Sequence, residues 1–257
     1  RSRHLETVKS VPADVTIRLF NYGGSLTKKN LGLEKDVLNV SNASQNEISA
    51  ILPFGNNTTS VDGNANLPSG SYGPASHLNA NGMPQGTLNA TTYDFDKFFN
   101  GEYAWESAVM YNGGGLFQQD EDGYYYYDCK QNAASYNPET NSFDLYNATL
   151  FNEFYPWNRI DGHSYPSDSP GTKLTLNGSG ADARDFWFGL TLDFNMTMPQ
   201  SGQINGKDTV FEFSGDDDVL IYIDGVLVLD ISGVHEAREG SINFTTGAVT
   251  DFPSSPK

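Results

Sequence analysis

An all-β fold of antiparallel strands, closed as a barrel or packed as a sandwich and interrupted by long loop insertions, is what three features of this sequence predict. Several segments alternate apolar and polar residues with a period of two. Gly, Asn, Ser and Thr crowd the gaps between those segments, and aromatic residues reach 13% while charged residues stay at 18%. Such a mixture suits pleated strands joined by tight turns better than helices.

Taken in order, the segment from Asp14 to Tyr22 alternates and stops at Gly23-Gly24, which predicts a first strand ending in a turn. Residues 25–92 are rich in Asn, Gly and Ser, and Pro53, Pro68, Pro74 and Pro84 interrupt any regular pattern, so this stretch reads as a loop-rich insertion with short structured pieces. From Asp94 to Tyr111 the residues Phe95–Phe99 and Trp105–Met110 carry a moderate helical pattern, and a short helix is expected there. The tyrosine run Tyr124–Tyr127 and Ala134–Tyr136 lead through Asn137-Pro138-Glu139-Thr140-Asn141 into Ser142–Tyr146, a strand, a polar turn and a strand whose aromatic residues are expected to fill a β core. Phe186–Met198 alternates as a long strand, and Asp208–Phe213 as another. Val219–Ile223 and Val226–Asp230 flank Asp224-Gly225, the dipeptide that supplies two positive φ angles to a type I′ hairpin.

A chain of 257 residues is long enough to bury a full core, and it reads as a single domain over residues 1–257 with 25–92 as its insertion. Fifteen Lys and Arg against 32 Asp and Glu give a formal charge of −17, which repels phosphates and anionic head groups and argues against nucleic acid as a partner. No run of about 18 apolar residues is present, so no membrane insertion is expected from this segment. Cys129 is the lone cysteine, which excludes an internal disulfide and the cysteine-paired zinc patterns. Cysteine avoidance is common in surface proteins of Gram-positive bacteria. On that bacterial premise the Asn-X-Ser/Thr triplets, at Asn42, Asn89, Asn147, Asn177, Asn195 and Asn243 among others, read as chance products of an Asn-rich chain, although in a eukaryotic secreted protein they are glycosylation acceptors.

Ser214-Gly215-Asp216-Asp217-Asp218 places three carboxylates between two apolar strands. Adjacent ionised carboxylates destabilise one another, and a hard divalent cation with oxygen ligands relieves the repulsion. Calcium at Asp216, Asp217 and Asp218 is therefore expected, with a solvated acidic turn as the alternative. Asp120-Glu121-Asp122-Gly123 lacks the closing Glu of a calcium loop and reads as a plain turn.

The stretch from Phe211 to Asp230, followed by Gly233-Val-His-Glu-Ala237 and Gly240-Ser-Ile-Asn-Phe244, resembles the fibro-slime domain family, a branch of the protective-antigen-type (PA-14) β-barrels. The resemblance extends over about Val15 to Val249 and is strongest after Phe186. It implies a twisted antiparallel barrel or sandwich in a surface protein, with a calcium ion held by two neighbouring aspartates that match Asp216 and Asp217. Asp218 stands where many relatives have Gly. The family continues past the Ser241 region into further closing strands, so an edge left open here is filled by Val8–Phe20, by a strand from a partner, or by strands that follow Lys257.

Trp157, between Pro156 and Asn158 in an expected loop, is the candidate for stacking on a sugar ring, whereas Trp187 alternates within a strand and reads as core. His235 reads as structural, and His77 and His163 as exposed loop residues. Relatives in the family it resembles bind glycans through a calcium ion, and with these residues the resemblance implies a non-catalytic, calcium-dependent glycan-binding or adhesion module, extracellular, on a bacterial cell surface within a larger anchored protein. Its partners are glycans or surface glycoconjugates. The alternative is a structural stalk or tip module in which calcium only stabilises and a partner strand completes the sheet.

Overall fold

A computed structural model describes residues 14–21, 72–88, 91–102, 104, 106–146, 153–158, 188–215, 218–231 and 237–253. In chain order its strands are β1 (Val15–Asn21), β2 (Tyr72–Pro74), β3 (Gln85–Leu88), β4 (Thr91–Asp94), β5 (Glu106–Met110), β6 (Gln118–Gln119), β7 (Tyr125–Tyr126), β8 (Ala133–Asn137), β9 (Ser142–Tyr146), β10 (Phe188–Phe194), β11 (Gln203–Ile204), β12 (Lys207–Asp208), β13 (Val210–Gly215), β14 (Val219–Ile223), β15 (Val226–Ile231), β16 (Arg238–Asn243) and β17 (Ala248–Pro253). Among the described residues a four-residue helix, α1, covers Asp96–Phe99. Every pairing among the described strands is antiparallel, so the all-β class holds. The described strands form several small sheets and do not close into a barrel. They divide into two compact units, one containing β1 and β5–β10, the other β2–β4 and β11–β17.

In the first unit β1 is the centre of a sheet ordered β10-β1-β5. Its alternation explains that place: Val15, Ile17 and Leu19 are buried on one face, and the register sets Ile17 against Leu192 and Met110, and Leu19 against Leu190 and Ala108. Those residues pack on Ala134, Tyr136, Phe143 and Leu145 of the β8–β9 hairpin and on Trp157, giving two layers around one core. On the opposite face Arg18 pairs with Asp193 across the strands. The β8–β9 turn ends with Asn141 at φ 50°, a left-handed conformation that Asn tolerates. Its side-chain amide donates to the Val109 carbonyl at 2.9 Å and its Oδ1 accepts from the Tyr136 hydroxyl at 3.0 Å.

One expectation fails in this unit. Glu106–Met110 is the strand β5 and not part of a helix: Ser107 and Val109 are exposed while Ala108 and Met110 are buried, a period of two set by pairing with β1. Trp105 lies outside the described residues. The chain then turns through Asn112, Gly113, Gly114 and Gly115, all at φ between 52° and 76°. At Gly114 a Cβ would stand 2.9 Å from the Met110 Cβ, so glycine there answers both the left-handed backbone and the close approach.

In the second unit the sheet β13-β16-β17 packs on the β14–β15 hairpin, with Leu229, Ile231 and Ile242 buried among Phe211, Phe213, Val219, Ile221 and Phe244. Asp224 and Gly225 have φ of 48° and 79°, the type I′ turn read from the sequence. A bulge at Ile221/Tyr222 breaks the ladder once. Residues 248–253, at the edge where missing strands were expected, themselves form β17 on β16. Within the insertion β2, β3 and β4 make a three-stranded sheet, and residues 25–71 lie outside the described residues.

Candidate functional site

The acidic stretch joins β13 in the sheet to β14 in the hairpin. Gly215 at the end of β13 is opposite Arg238, and Val219 at the start of β14 is opposite Ile231, so both ends of the connection are fixed by ladders. Arg238 itself is paired with Asp251 at 2.6 Å. Asp218 is half-buried here, whereas Asp216 and Asp217 lie outside the described residues. Among the described residues no group of three or more His, Cys, Asp or Glu is placed to hold a metal. The all-oxygen donor set of the three aspartates is the kind a hard cation takes. His235, His163 and Trp187 also lie outside the described residues.

Trp157 is 0% exposed. It stands edge-on to Tyr136, with ring centroids 5.2 Å apart, inside the first unit's core. A pyranose needs an open ring face, and this ring has none, so the expectation of a sugar platform at Trp157 is corrected to a core role. The loop that carries it is drawn inward because the Tyr136 amide donates to the Pro156 carbonyl at 2.7 Å.

Exposed aromatic surface occurs instead on the β6–β7 hairpin, where every residue from Gln119 to Tyr125 is exposed. Tyr124 is 37% exposed and Tyr125 41%. The tip is rigid. Asp120 Oδ1 accepts the amides of Asp122 and Tyr124, both at 2.9 Å, and the Gln119 side-chain amide donates to the Gly123 carbonyl at 3.0 Å. The Gly123 amide donates back to the Asp120 carbonyl at 3.1 Å, and the Asp120 amide to the Tyr124 carbonyl at 3.0 Å. Further along, Tyr126 reaches Gln118 and the half-buried Tyr127 hydroxyl donates to the Asn132 carbonyl at 3.0 Å. Burial, and then the nearby Cys129 and Asp128, push the Tyr127 phenol well above its ordinary value. The four-tyrosine run thus splits: its first pair faces outward and its second anchors the hairpin. The Asp-x-x-Gly spacing just ahead of the run was the legible sign of an ordered tip.

No family model matches the chain, and no solved structure matches it. The chain is similar to several proteins of Dictyostelium discoideum. Protein psiP is 31% identical over 162 residues, 61% of this chain and 19% of psiP. Protein psiD is 27% identical over 210 residues, 70% of this chain and 40% of psiD. Protein psiF is 56% identical over 90 residues, 35% of this chain and 12% of psiF. The chain therefore spans about a fifth of psiP and two fifths of psiD. These relatives are eukaryotic. Their origin overturns the expectation of a calcium-dependent glycan-binding or adhesion module on a bacterial cell surface, and the bacterial wall-anchored location falls with it. The reason for treating the Asn-X-Ser/Thr triplets as chance falls too. Of these, Asn195 is exposed, while the Asn243 amide is bound to Asp208 at 3.1 Å.

Proposed function

We propose that this chain is a non-catalytic recognition module of a psi-like protein, and that the β6–β7 hairpin is its recognition element. The observation that carries the reading is the exposed run Gln119–Tyr125, fixed by five hydrogen bonds while presenting two tyrosines beside Glu121 and Asp122. Tyrosine is favoured at interfaces because it offers a large amphipathic ring at low entropic cost, and a tip already ordered loses little freedom on binding. Carboxylates beside aromatic faces favour a partner segment bearing Lys or Arg, through ion pairing and cation–π contact.

The test is selection from a random peptide library by the intact chain and by the double variant Tyr124→Ser/Tyr125→Ser, with thermal melting as a folding control. Enrichment of Lys- or Arg-bearing peptides by the parent and its loss in an equally stable double variant supports the reading. Identical enrichment by both proteins removes the hairpin from the recognition surface.

The resemblance to the fibro-slime and PA-14 domains remains a proposal that rests on the residues from Phe211 to Phe244. Calcium at Asp216, Asp217 and Asp218 remains one as well, supported by the chemistry of three successive carboxylates between fixed strand ends.

A further inference from the structure

The Asp224–Gly225 turn does not stand alone. The segment Ser76–Leu78 of the insertion lies along β15 beside the turn: the Leu78 amide donates to the Gly225 carbonyl at 2.9 Å, the Leu227 amide donates to the Ser76 carbonyl at 2.8 Å, and His77 pairs antiparallel with Val226 between them. We propose that this end of β15 is a strand-acceptor surface whose resident occupant is Ser76–Leu78, and that an extended segment of a partner chain displaces it.

Three features lead there. Its two hydrogen bonds join backbone atoms, with the side chains of Ser76 and His77 exposed, Leu78 half-buried and the Tyr222 hydroxyl reaching the adjoining Ala75 carbonyl at 3.5 Å, so it recognises chiefly extended chain. It is short, a single bridge, where β14 and β15 share a ladder from Val219↔Ile231 to Ile223↔Val226. And the residents match poorly. His77 faces Val226, which stays 43% exposed, whereas cross-strand stabilisation favours a β-branched or aromatic residue opposite a valine. The displacing segment is therefore an extended one with such a residue in the position His77 fills. Nothing in this proposal depends on the β6–β7 hairpin, which belongs to the other unit.

His77 and Val226 form the pair that exchanges no hydrogen bond with each other, the closely spaced geometry in which two cysteines can be bridged. The test uses the full chain with Cys129→Ser, His77→Cys and Val226→Cys, and as probe a fluorescent peptide of residues 73–80 carrying His77→Ile. Fluorescence anisotropy should show binding to the reduced protein and at least a tenfold loss on oxidation, restored by reductant. A second variant, Leu78→Pro in the parent chain, removes one resident hydrogen bond and should bind the peptide at least tenfold more tightly than the parent. Equal binding to the oxidised and reduced forms, or no binding to the reduced protein and to Leu78→Pro, overturns the proposal.

Discussion

Replacing Trp157 separates a core residue from a surface one in a single measurement. The side chain is fully buried and packs edge-on against Tyr136. Truncation to Ala leaves a cavity of nearly the whole indole and should cost about 3–5 kcal/mol. At roughly 2–4 °C per kcal/mol for a chain of this size, the melting temperature should fall by roughly 6–20 °C. Trp157→Phe should cost far less, for a reason visible in the structure. Among the described residues the buried Nε1 has no hydrogen-bond partner. An unsatisfied buried donor carries a penalty of about 1–3 kcal/mol, which phenylalanine removes while giving up only part of the ring volume. The net loss should be about 1 kcal/mol. Denaturant unfolding of the three proteins side by side reads both differences. An alanine variant within about 0.5 kcal/mol of the parent, as expected of an exposed residue, refutes the core placement. A phenylalanine variant as damaged as the alanine one refutes the account of the indole nitrogen.

Gly202→Ala and Gly206→Ala form a matched pair, since both glycines have positive φ, 69° and 78°. A Cβ at Gly202 would stand 2.5 Å from the Phe244 carbonyl oxygen, whereas at Gly206 nothing lies within 4 Å, so unfolding curves should show about 1–2 kcal/mol lost at Gly206 and more at Gly202. Equal losses would mean that the contact at Gly202 is not as tight as described. Tyr222 is pushed up to about 12 by burial and then by Asp230. Its unfolded phenol ionises near pH 10, so its contribution is intact below that pH and is lost as pH rises toward 12, and Tyr222→Phe should flatten the alkaline fall in stability across that window.

What could be read ahead of the structure was whatever local chemistry decides. The Asp224–Gly225 turn follows from dipeptide identity, β14 and β15 from the apolar runs that flank it, β1 from its alternation, and the β8–β9 hairpin from its polar turn. What could not be read was decided by distant partners. Glu106–Met110 has a composition that serves a helix or a strand, and only the neighbouring β1 makes it β5. Trp157 sits in a sequence that reads as a loop, and loops ordinarily lie on the surface because their backbone groups need water. This one is buried because β8 supplies a backbone partner across 20 residues of sequence. The four tyrosines from Tyr124 to Tyr127 are identical in composition, so no local rule sorts the exposed pair from the anchoring pair. At the acidic stretch, Asp216 and Asp217 fall outside the described residues.

The use this chain makes of its Asn and Asp residues sharpens the question of calcium. Among the described residues six accept the amide two residues on at 2.8–2.9 Å, Asn79 from Asn81, Asn100 from Glu102, Asp120 from Asp122, Asp128 from Lys130, Asn137 from Glu139 and Asn243 from Thr245. An abundance of such residues is here largely turn chemistry, in which Asn and Asp are nearly interchangeable because each offers the same side-chain oxygen. An ion site is different, since Asp→Asn removes the charge that holds the cation. Asp120→Asn should therefore be nearly neutral, while Asp120→Ala, which strips a partner from two amides, should cost roughly 1 kcal/mol. At Asp216 and Asp217 the two chemistries predict opposite outcomes. With calcium at a hundredfold excess over its dissociation constant, an ion bound only to the folded chain adds roughly 2.7 kcal/mol, and Asp216→Asn or Asp217→Asn should abolish that gain. A rise in melting temperature on replacing chelator with calcium, kept by Asp120→Asn and lost by Asp217→Asn, assigns the ion to the acidic stretch. Melting that is the same with calcium and with chelator in the parent chain makes these aspartates one more turn and ends the calcium proposal.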